Sequence, residues 1–329
     1  MIYIETGSTD VYFNFAAEYY FATERDPGDP TALLFWRTTP TLMIGKYQNA
    51  LEEIDLSYAR QHGIHVVRRL SGGGTIYTDL GGWQYTFITR GDTSSIRFEE
   101  YLRPVLSALA ELGVQAGFNG RNDLTIDGRK ISGNAQYKLA GHTVHHGSLL
   151  LCTDIEEMVR STSVDPEKIS SKSIRSVRER VTNIADHLPG PISPEDFKAR
   201  MVRSILGDAP RIYMLTDADR ARISTIAAER FASWEAIYGA TPRFSIERSA
   251  RLAGGKMTFS LDVRRGHIAQ CAVSGDFFGT VEASAFDLAL RNCPYRRDAV
   301  EDALTRAGLD GAIYRITARE MAAVIVPDA

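Results

Sequence analysis

The stretch from Arg68 to Gly82, Arg-Arg-Leu-Ser-Gly-Gly-Gly-Thr-Ile-Tyr-Thr-Asp-Leu-Gly-Gly, constrains this chain more than any other. Its consecutive glycines, Gly72, Gly73 and Gly74, each lose more backbone entropy on ordering than another residue would, so an ordered loop needs a compensating gain. Close approach of backbone N–H groups to a ligand is the usual gain, and Arg68 and Arg69 just upstream suggest that the ligand is anionic. The pattern is neither the Gly-x-x-x-x-Gly-Lys-Ser/Thr phosphate loop nor the Gly-x-Gly-x-x-Gly dinucleotide fingerprint, each of which opens a helix. Thr75-Ile76-Tyr77 and Trp83 to Thr89 are instead rich in β-branched and aromatic residues and read as strands. The loop therefore joins strand to strand, with a flexible surface turn as the competing reading.

At 329 residues the chain exceeds the usual size of one domain, so two are expected. Hydrophobic residues at 44% and charged residues at 24% fit a soluble globular protein with a sizeable core. No apolar run approaches the roughly 20 residues a spanning helix needs, and Ile2-Tyr3-Ile4 starts a strand where a secretory leader would stand. A cytoplasmic location without membrane association is expected. A net charge of −3 argues against a general nucleic-acid coat. Cys152, Cys271 and Cys293 lack metal-type spacing and read as reduced thiols, with Cys152 in the core at the end of a Leu-rich strand.

Along the chain, Asn14 to Phe21 reads as a helix, and Leu33–Trp36 with Thr41–Gly45 as a hairpin around Thr38-Thr39-Pro40. Asp55 caps a helix that stops at Gly63, and Ile64 to Arg68 is the strand feeding the glycine loop. Ile96 to Leu112 shows the strongest helical periodicity, with Pro104 either kinking it or marking its start. Asp127-Gly128 signals a type I′ hairpin turn, which puts Lys130 on the return strand. Alternation then places Lys130 and Ser132 on one face, Arg129 and Ile131 on the other.

Asn134 to Leu151 reads as a further hairpin turning at Ala140-Gly141. His142, His145 and His146 do not make a zinc set, since His145 points away from the other two and no cysteine completes it. Lys168 to Arg180 is a basic, serine-rich loop. Helices follow at Ser193 to Leu206 and Asp217 to Ala232. Beyond a boundary between 240 and 250, strands at 244–246, 256–263 and 267–273 and helices at 282–290 and 297–307 form a small α+β module.

Several of these stretches occur together and in order: Asn14 to Glu18, Arg68-Arg69-x-Ser71-Gly-Gly-Gly, Asp79-Leu80-Gly81, Gly120 to Leu124, Gly128 to Gly133, His145-His146-Gly147 with Leu149 to Leu151, and Ser176 to Asn183. On them the chain resembles, over nearly its whole length, the lipoate–protein ligase A family, which shares its fold with the biotin protein ligases. The resemblance implies an α+β protein: a mixed β-sheet catalytic domain of the biotin/lipoate ligase type flanked by helices, residues 1–243, and a small α+β accessory domain, 244–329. It implies a two-step reaction, in which lipoate and ATP give lipoyl-AMP and pyrophosphate before a lysine of a lipoyl domain takes the acyl group. Lys130 matches the family's essential lysine.

By the same resemblance Arg69, Gly74, Thr75, Ile76, Tyr77, Asn122 and Asp123 serve ATP and the adenylate, with Asp123 as the Mg2+ ligand. Ser71, Gly72, Gly73, Gly133, Ala135 and His146 lie along lipoate, and Lys172, Arg175, Arg178 and Arg180 belong to a loop that caps the adenylate. The implied acceptors are apo lipoyl domains of 2-oxoacid dehydrogenase E2 subunits or glycine-cleavage H protein, met by a monomer that binds no nucleic acid. Thr78 and Gly82 replace a frequent histidine and asparagine, departures expected at the adenylate end. Two alternatives stand beside this reading: an octanoyltransferase of the same fold, which would use a cysteine such as Cys152 and no ATP, and a non-catalytic adenylate-binding paralogue.

Overall fold

The computed structural model describes residues 1–48, 50–91, 95–162, 177–237, 246–264 and 266–327. In chain order the first strands are β1 (Ile2–Glu5), β2 (Thr31–Trp36), β3 (Thr41–Ile44), β4 (His65–Arg68), β5 (Ile76–Thr78) and β6 (Gly82–Arg90). They are followed by β7 (Gly117–Phe118), β8 (Asp123–Ile126), β9 (Arg129–Leu139), β10 (His142–Leu150) and β11 (Arg211–Met214). Eight of these form one sheet in the order β11-β1-β2-β6-β10-β9-β8-β7, and β4-β3-β5 form a small second sheet. Because β1 runs parallel to β2 and β11 while β2, β6, β10, β9 and β8 alternate in direction, the large sheet is mixed.

Helices cover both faces of the large sheet. The helix Val11–Thr23 starts where the Asp10 carboxylate accepts from the Tyr12 and Phe13 amides, and it buries Phe15, Ala16 and Glu18. On the other face, Phe98–Glu111 and Pro194–Leu206 lie over Tyr85, Phe87 and Leu149. Ser193 caps the second of these and Pro194 occupies its first turn, as the sequence leads one to expect.

Several expectations need correction. The strands β2 and β3 do not pair with each other: β2 sits between β1 and β6, whereas β3 is the centre of the small sheet. The intervening segment is pinned elsewhere, since Thr38 Oγ1 pairs with Thr78 Oγ1 at 2.7 Å and the Thr39 amide donates to the Thr9 carbonyl. Pro104 lies inside the helix Phe98–Glu111 and does not begin it. Strict alternation along β9 fails because Leu124 faces Ser132 while Thr125 faces Lys130, so Ile131 is the extra residue of a bulge. Cys152 is exposed, not core: β10 ends at Leu150, and the chain turns so that the Cys152 amide donates to the Gly81 carbonyl. Cys271 and Cys293 are buried.

The C-terminal module pairs β12 (Ile246–Leu252), β13 (Gly255–Arg264) and β14 (His267–Gly275) in that order, with helices Ser284–Leu290, Arg297–Arg306 and Ala318–Ile325 packed on them. Of the strand expected at 244–246, residues 244 and 245 lie outside the described residues, and β12 continues from Ile246 to Leu252. Neither β11 nor the last helix was anticipated, although Thr317 and Glu320 form a capping box at the start of the latter. The boundary at 243/244 lies outside the described residues. Tyr47, from the loop after β3, joins the module's core and stacks on Phe277 with ring centroids 4.4 Å apart. No helix among the described residues is long and apolar enough to cross a membrane.

Candidate active site

The row of residues Trp36, Gln84 and Ser148, directly opposite one another on β2, β6 and β10, floors a cavity on the side of the large sheet that faces the helix Val11–Thr23. Ser148 Oγ continues the row to β9 by accepting from the Gly133 amide at 3.3 Å. Phe15, Met43, Ile76, Ala135 and Phe278 supply apolar lining, and Arg69, Asn122, Lys130, Asn134 and His146 supply polar lining. The cavity holds about 600 Å3 of empty space counted out to its open mouth. The cavity thus combines apolar side chains with two cations, Arg69 and Lys130.

Lys130 reaches the cavity because of the bulge. A side chain on Gly133 would place its Cβ 2.8 Å from Lys130 Nζ, so the lysine lies along the space that glycine leaves free. Its ammonium meets Asp123 Oδ1 at 2.8 Å, and Asp123 Oδ2 accepts from Asn119 Nδ2 at 3.1 Å. The turn that carries Asn122 and Asp123 is tied to β9 reciprocally: Asn122 Nδ2 donates to the Asn134 carbonyl and Asn134 Nδ2 to the Asn122 carbonyl, both at 3.0 Å. Buried Tyr85 donates to Asn134 Oδ1, an arrangement that needs Gly147, where a Cβ would fall 2.2 Å from that oxygen. On the other flank, the Lys130 amide donates to the Arg180 carbonyl and the Thr182 amide to the Lys130 carbonyl.

A second network runs through His146. Ser71 Oγ lies 2.6 Å from His146 Nε2, and His146 Nδ1 lies 3.2 Å from Glu18 Oε2. Glu18 is fully buried, yet Thr86 Oγ1 donates to it at 2.6 Å and Tyr137 Oη at 3.4 Å. These donors compensate the removal of the carboxylate from water. Burial, followed by the Glu18 charge, holds the Tyr137 phenol well above its ordinary pKa, so this group stays a donor.

The glycine loop is held mainly by protein. Arg68 donates to the Gly45, Gln48 and Ile237 carbonyls, which leaves its guanidinium committed to backbone and turned from any anion. Arg69 donates to the Met43, Gly72 and Gly74 carbonyls and to Ser71 Oγ, and it lines the cavity as a buried cation. Burial, then Arg68, lowers its pKa, although a guanidinium remains charged. The Gly73 amide donates to the Phe277 carbonyl at 2.7 Å, and a Cβ on Gly72 would lie 2.2 Å from that same oxygen. The C-terminal module thereby brings Phe278 into the cavity wall. Arg121 Nη2 reinforces the contact by donating to the Gly254 carbonyl, as does the Lys46–Glu282 ion pair at 2.6 Å.

Of the residues singled out in the sequence, Arg69, Gly74, Thr75, Ile76, Asn122, Lys130, Gly133, Ala135 and His146 line the cavity, and Asp123 touches Lys130. Ser71 lies behind His146; Gly72 and Gly73 face the C-terminal module, and Tyr77 packs in a separate core cluster. Arg178 and Arg180 are exposed, while Lys172 and Arg175 lie outside the described residues. Thr78 pairs with Thr38 and Gly82 is set against Thr153, and neither is among the residues that line this cavity. Phe15, Trp36, Met43, Gln84, Asn134, Ser148 and Phe278 line the cavity without having been anticipated. Among the described residues no three His, Cys, Asp or Glu side chains converge as a metal set.

Residues 10–206 match the family model of the lipoyl protein ligase A/B catalytic domain, and residues 241–325 that of the bacterial lipoate protein ligase C-terminus. The chain is 39% identical over 324 residues to lipoate-protein ligase LplJ of Bacillus subtilis, covering 96% of this chain and 97% of that protein. Among solved structures, P. falciparum LipL1 in complex with lipoate superposes with a TM-score of 0.79 at 19% identity, over 93% of this chain and 94% of that one. A lipoate-protein ligase A bound with ATP superposes with a TM-score of 0.60 at 25% identity, over 72% and 97%.

Proposed function

The chain belongs to the lipoyl protein ligase A/B family and is an ATP-dependent lipoate–protein ligase, and from that premise we propose that Lys130 is the residue on which its chemistry turns. The observation that carries the reading is the Lys130 ammonium lining a cavity that also holds Phe15, Trp36, Met43 and Ala135, with Asp123 as its counter-ion. Lipoate lies with its chain among Phe15, Trp36, Met43 and Ala135 and its carboxylate against Lys130. A carboxylate oxygen attacks the α-phosphorus of ATP; that bond forms as the bond to pyrophosphate breaks, leaving lipoyl-AMP. Two anions must meet for this to happen, and a fixed ammonium in a half-dry site lowers the barrier more than the same charge in water.

In the second step the neutral amine of an acceptor lysine attacks the acyl carbon, an amide forms, AMP leaves and the amine's proton departs. Lys130 stabilises the carbonyl oxygen and the departing phosphate. We assign Gly74, Thr75, Ile76 and Arg69 to the adenylate side and His146, backed by Ser71 and Glu18, to the acyl side, with Gly72 and Gly73 holding the loop against the C-terminal module. Asn122 and Asp123 meet the phosphates. Asp123 fits Mg2+, which ordinarily takes one or two carboxylates together with substrate phosphates and water. When bound, the metal screens the triphosphate charge.

Lipoyl domains are the acceptors of this family. For this chain we assign apo lipoyl domains of E2 subunits or glycine-cleavage H protein, reached by a cytoplasmic monomer with its catalytic part at 1–243 and its accessory part at 244–329. The separate core of the C-terminal module supports that division. The basic segment through Lys172, Arg175, Arg178 and Arg180 closes over the adenylate, a role supported by the backbone pairing of Arg180 and Thr182 with Lys130. Cys152 stands outside the cavity, so nothing favours a cysteine acyl-enzyme.

The direct test is to incubate an apo lipoyl domain with the protein, ATP, Mg2+ and lipoate. Mass spectrometry should show one lipoyl group on the acceptor and release of AMP. No modification and no AMP would end the reading.

A further inference from the structure

Gln84 lies in the floor of the cavity, is 4% exposed, and finds no hydrogen-bond partner among the described residues for either its Nε2 or its Oε1. Among the described residues that line the cavity, it is the one whose buried side-chain polar atoms lack a partner. Its neighbours in the row cannot help: Trp36 Nε1 donates to Thr86 Oγ1, and Ser148 Oγ is committed to the Gly133 backbone. Leaving an amide dry and unpaired is costly, and such a group is usually directed at something that binds. A site that presents a hydrogen-bonding group rejects ligands that strand it far more strongly than an apolar pocket rejects an extra methylene.

Distance along the row says which part of an acyl chain meets this amide. Gln84, Ser148 and Gly133 occupy three neighbouring strands, so the Gln84 and Gly133 backbones are separated by about 10 Å. The Lys130 ammonium lies beside Gly133. If the carboxylate of an eight-carbon acid is held there, five carbon–carbon bonds, roughly 6 Å when extended, carry the chain to its sixth carbon. Lipoate bears sulfur on that carbon and on the eighth, so its ring reaches Gln84. Octanoate brings only methylenes.

We propose that Gln84 is a specificity-determining residue that selects a sulfur-bearing acyl chain over an all-carbon chain of the same length, its amide N–H donating to a ring sulfur. Sulfur is a weak acceptor, so the preference is moderate and comes chiefly from what octanoate leaves unpaired. This inference rests on the ligase reading above. It is tested by measuring AMP formation with lipoate and with octanoate, each in the presence of ATP, Mg2+ and apo lipoyl domain, for the wild type, Gln84→Leu and Gln84→Met. Both substitutions keep the volume close and remove the donor; circular dichroism shows which of them folds, and either one suffices.

The wild-type ratio of kcat/KM for lipoate over octanoate should be about tenfold, the factor that one unpaired buried group is worth, and it should fall towards one in the variants, mainly through gain on octanoate. A wild-type ratio near one, or a ratio that the substitutions leave unchanged, overturns the role of Gln84 while leaving the ligase intact. AMP formation from neither acid overturns both, and is thereby told apart.

Discussion

The glycine loop and the Lys130 hairpin both line one cavity, yet they spend their polar groups differently. In the loop, Arg68 and Arg69 are occupied by backbone carbonyls, the Gly73 amide by Phe277, and Gly72 is required by the same carbonyl oxygen. In the hairpin, the backbone is paired on both flanks while the Lys130 ammonium meets a single carboxylate. The loop is a joint between two modules with one edge turned to the ligand; the hairpin is a rigid mount for one reactive charge. A glycine triplet beside arginines therefore need not mean that every glycine approaches a phosphate.

The largest effect expected from this contrast is at Lys130. Lys130→Ala removes the charge and leaves Asp123 beside an apolar side chain, while the mount of Asn122, Asn134 and Tyr85 persists. Adenylate formation, followed as pyrophosphate exchange into ATP, should fall by about 10² to 10³-fold, the usual consequence of losing one preorganised stabiliser. Circular dichroism and thermal midpoint should change little. Near-normal exchange would show that another group does the work.

The next effect separates the glycines from one another. A Cβ on Gly72 would sit 2.2 Å from the Phe277 carbonyl oxygen, which is backbone and cannot swing aside, whereas on Gly74 the nearest atom is the Asp276 Cβ at 3.6 Å. Gly72→Ala should cost about 1–3 kcal/mol of stability by forcing the modules apart, and hydrogen exchange at Gly73 should accelerate. Gly74→Ala should leave the urea midpoint almost unchanged and raise the KM for ATP if the Gly74 backbone faces nucleotide. Equal effects on stability would erase the proposed difference.

What the sequence made legible follows the range of the interactions involved. Asp127 and Gly128 adopt φ of 50° and 75°, the double positive that the Asp-Gly pair foretells, because turn chemistry is local. The bulge at Ile131 was not legible, since it depends on the register against β8, and so the partner of Lys130 on its face was misassigned from Gly133 to Ser132. Arg68 looked like an anion ligand because its acceptors at Gly45, Gln48 and Ile237 are distant in the chain. Phe278 was beyond reach for the same reason: only docking of the C-terminal module brings it to the cavity. Trp36 and Gln84 belong to readable strands, but which residues face one another required the pairing of β2 with β6.

The smallest effect concerns adjacent histidines that repeat the contrast in miniature. His146 is bonded through both ring nitrogens, to Ser71 and Glu18, whereas His145 points to the opposite face and neither of its nitrogens has a hydrogen-bond partner among the described residues. His145 is fully buried among aromatic rings, stacked on Tyr101 at 4.8 Å. Burial, then the neighbouring His146, holds its pKa well below the ordinary 6.5, so the folded protein keeps it neutral while an unfolded chain protonates it. Since the unfolded state then binds the extra proton, this group's contribution is complete above about pH 6.5 and is lost as pH falls below that value towards the folded pKa, with a slope of at most about 1.4 kcal/mol per pH unit. His145→Leu removes the titrating group at similar volume, and its urea midpoint should decline less steeply than the wild type's between neutral pH and pH 5. Parallel declines would mean that His145 takes up its proton in the folded protein as readily as in the unfolded chain.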